Sequence, residues 1–278
     1  MTAVDQLPDR RVRAPFGRRT VLVTQRRNYD PYVVLTVDDP GGPRPHAGQF
    51  YMLAAAQRWG GGAGERPFLL RAFSVMRALA GTDELEFLVE DVGPGTERLC
   101  ELQPQDELLL VGPLGVGFRP PADGRSPLLV GGGVGIAPLA IWRDQLGHPS
   151  AQVLLGFRDA ARALAGKELI TGAPVATDDG SYGHHGLVTD LLRAELDPDP
   201  DRTVYACGPP GMLEAVRALC AVREVPAQLA LESGMACGFG ACFGCVVPTR
   251  MGFVRLCLEG PVLDAGDLDT ALVPGAGH

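Results

Sequence analysis

Two hydrophobic rhythms divide the chain. Up to about residue 112 the apolar positions come in short β-branched or aromatic runs: Val21-Leu22-Val23, Tyr32-Val33-Val34-Leu35-Thr36-Val37, Gln49-Phe50-Tyr51-Met52-Leu53 and Leu108-Leu109-Leu110-Val111. Turn-forming Asp, Pro or Gly lies near most of their ends, which reads as strands. Leu85, Phe87 and Val89 alternate with Glu84, Glu86 and Leu88, the pattern of a half-buried strand. Five or six short strands at this spacing predict a small antiparallel barrel. The segment 112–121, dense in Gly and Pro, is the expected exit from it.

From Pro127 the rhythm changes. Leu128-Leu129-Val130 is continuously apolar, as in a parallel strand buried on both faces. Similar runs follow at Val153-Leu154-Leu155, Val175-Ala176-Thr177, Val204-Tyr205-Ala206 and Gln228-Leu229-Ala230-Leu231. Helical stretches are expected at 139–146, 186–194 and 210–221, with a short one at 97–102 in the first half. The alternation predicts a five-stranded parallel sheet, so the fold class is a β-barrel followed by an α/β unit.

Composition narrows the function classes. The chain has 278 residues, 46% of them hydrophobic, and a formal net charge of −8. An acidic chain of this kind is a poor nucleic-acid binder. No apolar run reaches the ~18 residues of a membrane span, and no hydrophobic signal segment opens the chain, so the cytoplasm is the expected compartment. Residues 1–18, with Arg10, Arg11, Arg13 and Arg18, read as a flexible basic tail.

Candidate chemistry concentrates in four places. Four of the seven cysteines, Cys237, Cys242, Cys245 and Cys257, have the spacing C-x4-C-x2-C-x11-C, that of a plant-type [2Fe–2S] site. Gly234, Gly238, Gly240 and Gly244 fill the gaps and let backbone N–H groups approach the sulfurs. Chance core thiols, a four-cysteine zinc site and a disulfide pair compete with this reading. Zinc usually takes two close-spaced Cys pairs, where only one is present, and an odd cysteine count suits disulfides poorly. The second place is the strand to turn Gly131-Gly132-Gly133-Val134-Gly135-Ile136-Ala137-Pro138, a strand–glycine turn–helix cradle for a phosphate or dinucleotide. Ligands of such sheets sit at the carboxyl ends of the strands. The loops at Arg158, at Asp178-Asp179-Gly180 and at Cys207-Gly208-Pro209 therefore matter. Cys207 stands either beside a nicotinamide ring or as a small apolar strand end. Asp178 and Asp179 suit a ribose or a solvated turn; His184 and His185 are expected to be exposed. The third place is Arg71-Ala72-Phe73-Ser74, where Arg can pair with a pyrophosphate and Ser with a flavin edge. The fourth is Gly93-Pro94-Gly95-Thr96, where Thr96 is equally an ordinary helix N-cap. The Gly-rich loop from Trp59 to Gly64 carries no motif.

Taken in order, these motifs resemble the ferredoxin–NADP reductase superfamily. More narrowly, the stretch from Met235 to Cys245, with Leu256-Cys257-Leu258-Glu259-Gly260-Pro261-Val262 after it, is similar to the electron-transfer subunits of NAD-dependent dihydroorotate dehydrogenases. The resemblance covers about residues 19–265. It implies an antiparallel FAD-binding barrel over 19–121, an NAD-binding α/β domain over 122–232 and a small [2Fe–2S] domain over 233–278. It further implies FAD at Arg71, Ala72, Phe73, Ser74, Val89, Glu90 and Asp91, with the pyrophosphate at Gly95 and Thr96. NAD would border Gly131, Gly132, Gly133, Gly135, Cys207 and Gly208. One cluster would sit on Cys237, Cys242, Cys245 and Cys257. The implied partner is an FMN-containing dihydroorotate dehydrogenase catalytic subunit in a heterotetramer, serving pyrimidine synthesis. The docking face would be the exposed edge of the cysteine loop, with Phe239 and Phe243 either contacting the partner or shielding the cluster from water. Ala72 departs from the family, which has Pro there. Diaphorase-type subunits of hydrogenases or sulfite reductases and NADH:acceptor reductases share the flavin and NAD motifs, and a zinc-stabilised interaction module is the non-enzymatic alternative. NAD is preferred over NADP by resemblance alone, with Arg158 and Arg162 near the loop that would meet a 2′-phosphate.

Overall fold

The structure, a computed structural model, describes residues 17–59, 67–122, 124–147, 151–199 and 201–273. Residues 1–16 of the basic tail and 60–64 of the glycine-rich loop lie outside the described residues.

Six strands close a barrel in the order β1-β2-β5-β4-β3-β6. They are β1 (Arg19–Tyr29), β2 (Tyr32–Asp38), β3 (Phe50–Ala55), β4 (Arg71–Ala78), β5 (Glu84–Glu90) and β6 (Glu107–Leu114). The one helix that breaks the series, α1 (Pro94–Cys100), follows β5 directly. β6 runs on through Gly112-Pro113-Leu114, so the Gly/Pro-dense segment begins as strand. The alternation in β5 misleads: Leu85 to Val89 is buried on both faces. Glu86, 5% exposed, is tolerated because Arg27 pairs with it and Arg77 lies 3.6 Å away. A buried carboxylate needs such partners. Burial of that outer face depends on residues of other strands, such as Arg27 and Arg77, which hydrophobic alternation on one strand cannot reveal.

The α/β half contains all five expected parallel strands: β7 (Ser126–Gly132), β8 (Gln152–Phe157), β9 (Val175–Thr177), β11 (Arg202–Cys207) and β12 (Ala227–Ala230). Two short edge strands extend the sheet to seven, in the order β10-β9-β8-β7-β11-β12-β15. β10 (His184–His185) is parallel to β9, and β15 (Val262–Asp264) is antiparallel to β12. Thus His184 and His185 are exposed as expected, but on a strand. The helices are α2 (Ala137–Leu146), α3 (Ala160–Leu169), α4 (Val188–Leu196) and α5 (Pro210–Val222). α3 has no counterpart in the apolar rhythm, because alanine is the commonest residue of its sequence AARALAGKEL and only two leucines mark a face. Alanine's helix propensity and the Asp159 cap, which accepts from the Arg162 N–H at 3.0 Å, hold it instead. Among the described residues no helix is long and apolar enough to cross a membrane.

The two halves share a seam. Gln145 of α2 accepts from Ala47 N–H at 2.9 Å and donates to Pro45 O at 3.2 Å. Phe118, Trp142 and Tyr205 form an aromatic cluster with centroids 5.4–5.9 Å apart, each pair adding about 0.5–1.5 kcal/mol beyond burial. The C-terminal lobe comprises the cysteine loop, the hairpin of β13 (Val246–Thr249) and β14 (Gly252–Arg255), and β15.

The last described segment is tied to α5 by one carboxylate. Glu214 accepts from Arg217 Nη2 at 2.7 Å, from Thr270 Oγ1 at 3.0 Å and from the Ala271 N–H at 2.6 Å. The Arg217 hydrogen bond, foremost, pulls its pKa from 4.5 down to about 2. A depressed carboxylate pKa stabilises above the unfolded value, and that contribution is lost as pH falls toward the folded one. The Ala271 amide is therefore expected to lose hydrogen-exchange protection as pH drops from about 4.5 toward 2. Glu214→Gln should show the loss already at pH 7, and equal protection in that variant would refute the tie.

Candidate functional site

The four cysteines fold into two pairs. Cys245 and Cys257 are buried, with their sulfurs 3.2 Å apart. The more open Cys237 contacts the side chain of Cys242, and Cys242 Sγ accepts from the Gly244 N–H at 3.4 Å. Burial pushes the Cys237 thiol up, but the N–H groups of Cys242, Phe239 and Ala241 outweigh it and bring it down to about 7. Burial, then Cys245 and Cys237, push Cys257 up to about 12, against a hydrogen bond from Gly240. The loop is thus a nest of N–H donors turned toward sulfur, suited to thiolates. No group of three or more His, Cys, Asp or Glu that could hold a metal ion forms among the described residues. Four thiols in two neighbouring pairs fit a two-iron centre with four cysteine ligands.

This loop lies against the barrel. Gly238, at φ +78°, is so close to β3 that an added Cβ would stand 2.5 Å from Met52 Cγ. Met52, fully buried, is the cross-strand partner of Ala72. One strand therefore separates the cysteine loop from Arg71-Ala72-Phe73-Ser74 on β4. Met52 reads in the sequence as an ordinary core residue, and only the register shows that it bridges two motifs.

Arg71 opens β4, and its Nη1 donates to Leu69 O at 2.6 Å. Gly95, in the first turn of α1, lies directly under its guanidinium: a Cβ there would be 2.8 Å from Nε. The structure thus brings together Arg71 and Gly95, which lie 24 positions apart in the sequence. Phe73 is half-buried against the barrel core, opposite Tyr51; Ser74 is half-buried opposite Phe50. Val89 is buried in the core. Glu90 accepts from Arg162 Nη2 at 2.6 Å and Nε at 3.0 Å, so its carboxylate serves the seam. Asp91 is exposed and accepts from the Gly93 N–H at 3.3 Å. Thr96 is not the N-cap; Gly93 is. The Thr96 hydroxyl accepts from Val92 N–H at 2.8 Å and donates to Gly93 O at 2.9 Å, bracing the turn.

At the carboxyl end of the sheet, Gly131 and Gly132 finish β7, and a 3-10 turn over Gly133–Ile136 leads into α2. The glycines serve close approach. A Cβ on Gly135 would lie 2.5 Å from Cys207 O and 2.6 Å from Gly208 Cα. One on Gly132 would meet Met212 Sδ at 2.7 Å. Gly133, at φ +54°, faces open space above the turn, the cradle a phosphate needs. The turn and Cys207-Gly208 therefore form one wall. Burial, then the charge of Glu232, pushes the Cys207 thiol pKa upward, which keeps it protonated and neutral. At the far end, the Asp178 N–H donates to Phe157 O at 3.0 Å and the Asp179 N–H to Arg158 O at 3.3 Å, joining two loops into one rim. Hydrogen bonds from Ser181 hold the Asp179 carboxyl below its usual range. Arg162 is engaged by Glu90 and Asp159, leaving Arg158 as the exposed cation of the pair.

Comparisons with known proteins agree with this layout. Residues 232–269 match the iron–sulfur cluster binding domain of dihydroorotate dehydrogenase B, and residues 129–218 match an oxidoreductase NAD-binding domain. The dihydroorotate dehydrogenase B (NAD(+)) electron transfer subunit of Clostridium acetobutylicum is 35% identical over 80% of this chain and 85% of its own. That of Geobacillus kaustophilus is 38% identical over 80% and 86%. Among solved structures, an NADH-dependent reduced ferredoxin–NADP oxidoreductase superposes with a TM-score of 0.75 at 24% identity, covering 92% of both chains. A Neisseria gonorrhoeae ferredoxin NADP+ reductase with bound FAD and NADP gives 0.59 at 19% identity, over 74% of this chain and 91% of its own; both likenesses establish the fold. With its barrel, sheet and cysteine lobe in that arrangement, the chain belongs to the family of dihydroorotate dehydrogenase B (NAD(+)) electron transfer subunits.

Proposed function

We propose that this chain carries electrons from dihydroorotate oxidation on a catalytic partner to NAD+, with FAD and one [2Fe–2S] cluster as its own cofactors. When bound, the cluster supplies one-electron steps and the flavin joins them to two-electron exchange with the nicotinamide. The observation that carries the reading is the single strand, with Met52 at its centre, between the cysteine loop and the flavin motif. Arg71, braced on Gly95, would hold the flavin pyrophosphate. Ala72, Phe73 and Ser74 would line the flavin, with backbone groups of Val89, Glu90 and Asp91 at its edge and Thr96 holding the turn. Gly131, Gly132, Gly133 and Gly135 would take the dinucleotide phosphates, and Cys207-Gly208 would flank the nicotinamide as a neutral, water-poor wall. Cys237, Cys242, Cys245 and Cys257 would bind the cluster, their N–H donors tuning its potential.

The partner, in this reading, carries FMN and assembles two-to-two with this chain in the cytoplasm. Phe239 and Phe243 beside the cluster are 47% and 62% exposed, and Met251 and Phe253 on the adjoining hairpin 89% and 79%. Exposed apolar side chains grouped this closely suit a protein interface. The test is reconstitution with an FMN-containing dihydroorotate dehydrogenase subunit. Dihydroorotate-dependent reduction of NAD+ is expected from the complex and from neither part alone. A colourless protein with stoichiometric zinc, or a complex that reduces no NAD+, would refute the proposal.

A further inference from the structure

The glycine-rich loop after β3 carries no sequence motif, yet its first residue, Trp59, is built into the flavin half of the site. The Arg71 guanidinium lies over the Trp59 ring, 5.8 Å from the centroid, within the range of a cation–π contact. The same guanidinium also rests against Gly95, where a Cβ would come within 2.8 Å of Nε. Arg71 thus touches both Trp59 and Gly95, which come from two other segments. The ring is half-buried against the barrel core. Its Nε1 is shut off from solvent and has no hydrogen-bond partner among the described residues. A buried indole N–H ordinarily has an acceptor, and leaving one without costs free energy in the unliganded protein.

We propose that Trp59 is a flavin-binding residue that completes the pyrophosphate subsite. Its ring fixes the Arg71 guanidinium in place, and its N–H donates to an oxygen acceptor of the dinucleotide. The inference rests on the assignment of Arg71 to the pyrophosphate and adds a partner which that assignment lacks. It also accounts for an orphaned donor found beside the one arginine assigned to FAD. Arginine held on an aromatic face loses less freedom on binding phosphate, so affinity rises by pre-organisation as well as by contact.

The experiment is FAD titration of the deflavinated protein, followed by flavin fluorescence, for the wild type, Trp59→Phe, Trp59→Leu and Arg71→Ala. Trp59→Phe keeps the ring and removes the donor, and should weaken FAD about fivefold, as one hydrogen bond is worth. Trp59→Leu removes both and should weaken it about thirtyfold. Riboflavin, which has no phosphate, should bind all three Trp59 forms equally. If Arg71→Ala loses affinity while both Trp59 variants bind FAD like the wild type, the role of Trp59 is refuted and the pyrophosphate assignment stands. If Arg71→Ala also binds like the wild type, the assignment itself falls, and the inference with it. Should Trp59→Leu fail to fold, the Phe variant, titrated with FAD and with riboflavin, still decides.

Discussion

Replacing Cys242 by Ala should abolish the iron–sulfur centre and leave the rest of the molecule working. Cys242 is the one exposed member of the four cysteines, so the change removes a ligand without opening a cavity. The two buried sulfurs do not depend on it for packing: Cys245 and Cys257 stay buried against each other at 3.2 Å. A cluster with four protein ligands does not survive the loss of one side of an iron, and alanine offers no donor. Protein purified without oxygen is expected to lose its iron and the long-wavelength absorbance of the cluster. It should keep its flavin absorbance, because the Arg71–Gly95 contact lies on the far side of β3. NADH should still reduce an artificial dye at close to the wild-type rate, while dihydroorotate-dependent reduction of NAD+ by the reconstituted complex falls to background. A variant that keeps both irons would remove Cys242 from the ligand set. One that loses them and still passes electrons from the partner would remove the cluster from the route.

How far the sequence alone led depends on the kind of signal each part emits. The cysteine loop and the glycine turn are local: spacing and small residues suffice, because the chemistry is done by a few consecutive backbone groups. The parallel strands were equally legible, since burial on both faces leaves continuous apolar runs such as Leu128-Leu129-Val130. β5 misleads for the reason that makes parallel strands easy. Leu88 and Glu86 look like a solvent face, yet both are buried, with Arg27 and Arg77 opposing the charge of the glutamate. α3 escaped because alanine supplies helix propensity without an amphipathic stripe. The two edge strands are too short to have a period at all.

What no local pattern could supply is registration between motifs. Met52 stands opposite Ala72 and beneath Gly238 only because β3 pairs with β4 in one register, and a one-residue slip would turn it to the other face. The same holds for Arg162. Its sequence position suggests a 2′-phosphate ligand, whereas tertiary packing gives it to Glu90 and Asp159. The seam between barrel and sheet thereby uses one of the two arginines near that loop. Arg158 stays exposed on the rim that it shares with Asp178 and Asp179.

Gly135→Ala should separate the nucleotide site from the rest of the protein. Gly135 has no positive φ, so backbone strain plays no part, and the effect is one of space. The new Cβ would fall 2.5 Å from Cys207 O and 2.6 Å from Gly208 Cα. Both are backbone atoms at the end of β11, in the middle of the sheet, and cannot swing aside as a side-chain tip can. The turn must therefore lift away from Cys207-Gly208, at a cost of about 1–3 kcal/mol for overpacking. Displacing by about 1 Å the wall that aligns the nicotinamide costs on the order of 10²-fold in rate. NADH-driven dye reduction should fall by that amount, with flavin content and cluster absorbance unchanged, because the atoms the new Cβ meets belong to Cys207 and Gly208 of the sheet. Gly147→Asn is the matched control. That glycine caps α2 at φ +56° with open space around it, and Asn tolerates the left-handed region, so stability and NADH turnover should both hold near wild type. If Gly135→Ala turns over NADH like the wild type, the glycine turn is not the nucleotide cradle. If it loses flavin or cluster as well, the three sites are not the separable units that the contacts of this fold describe.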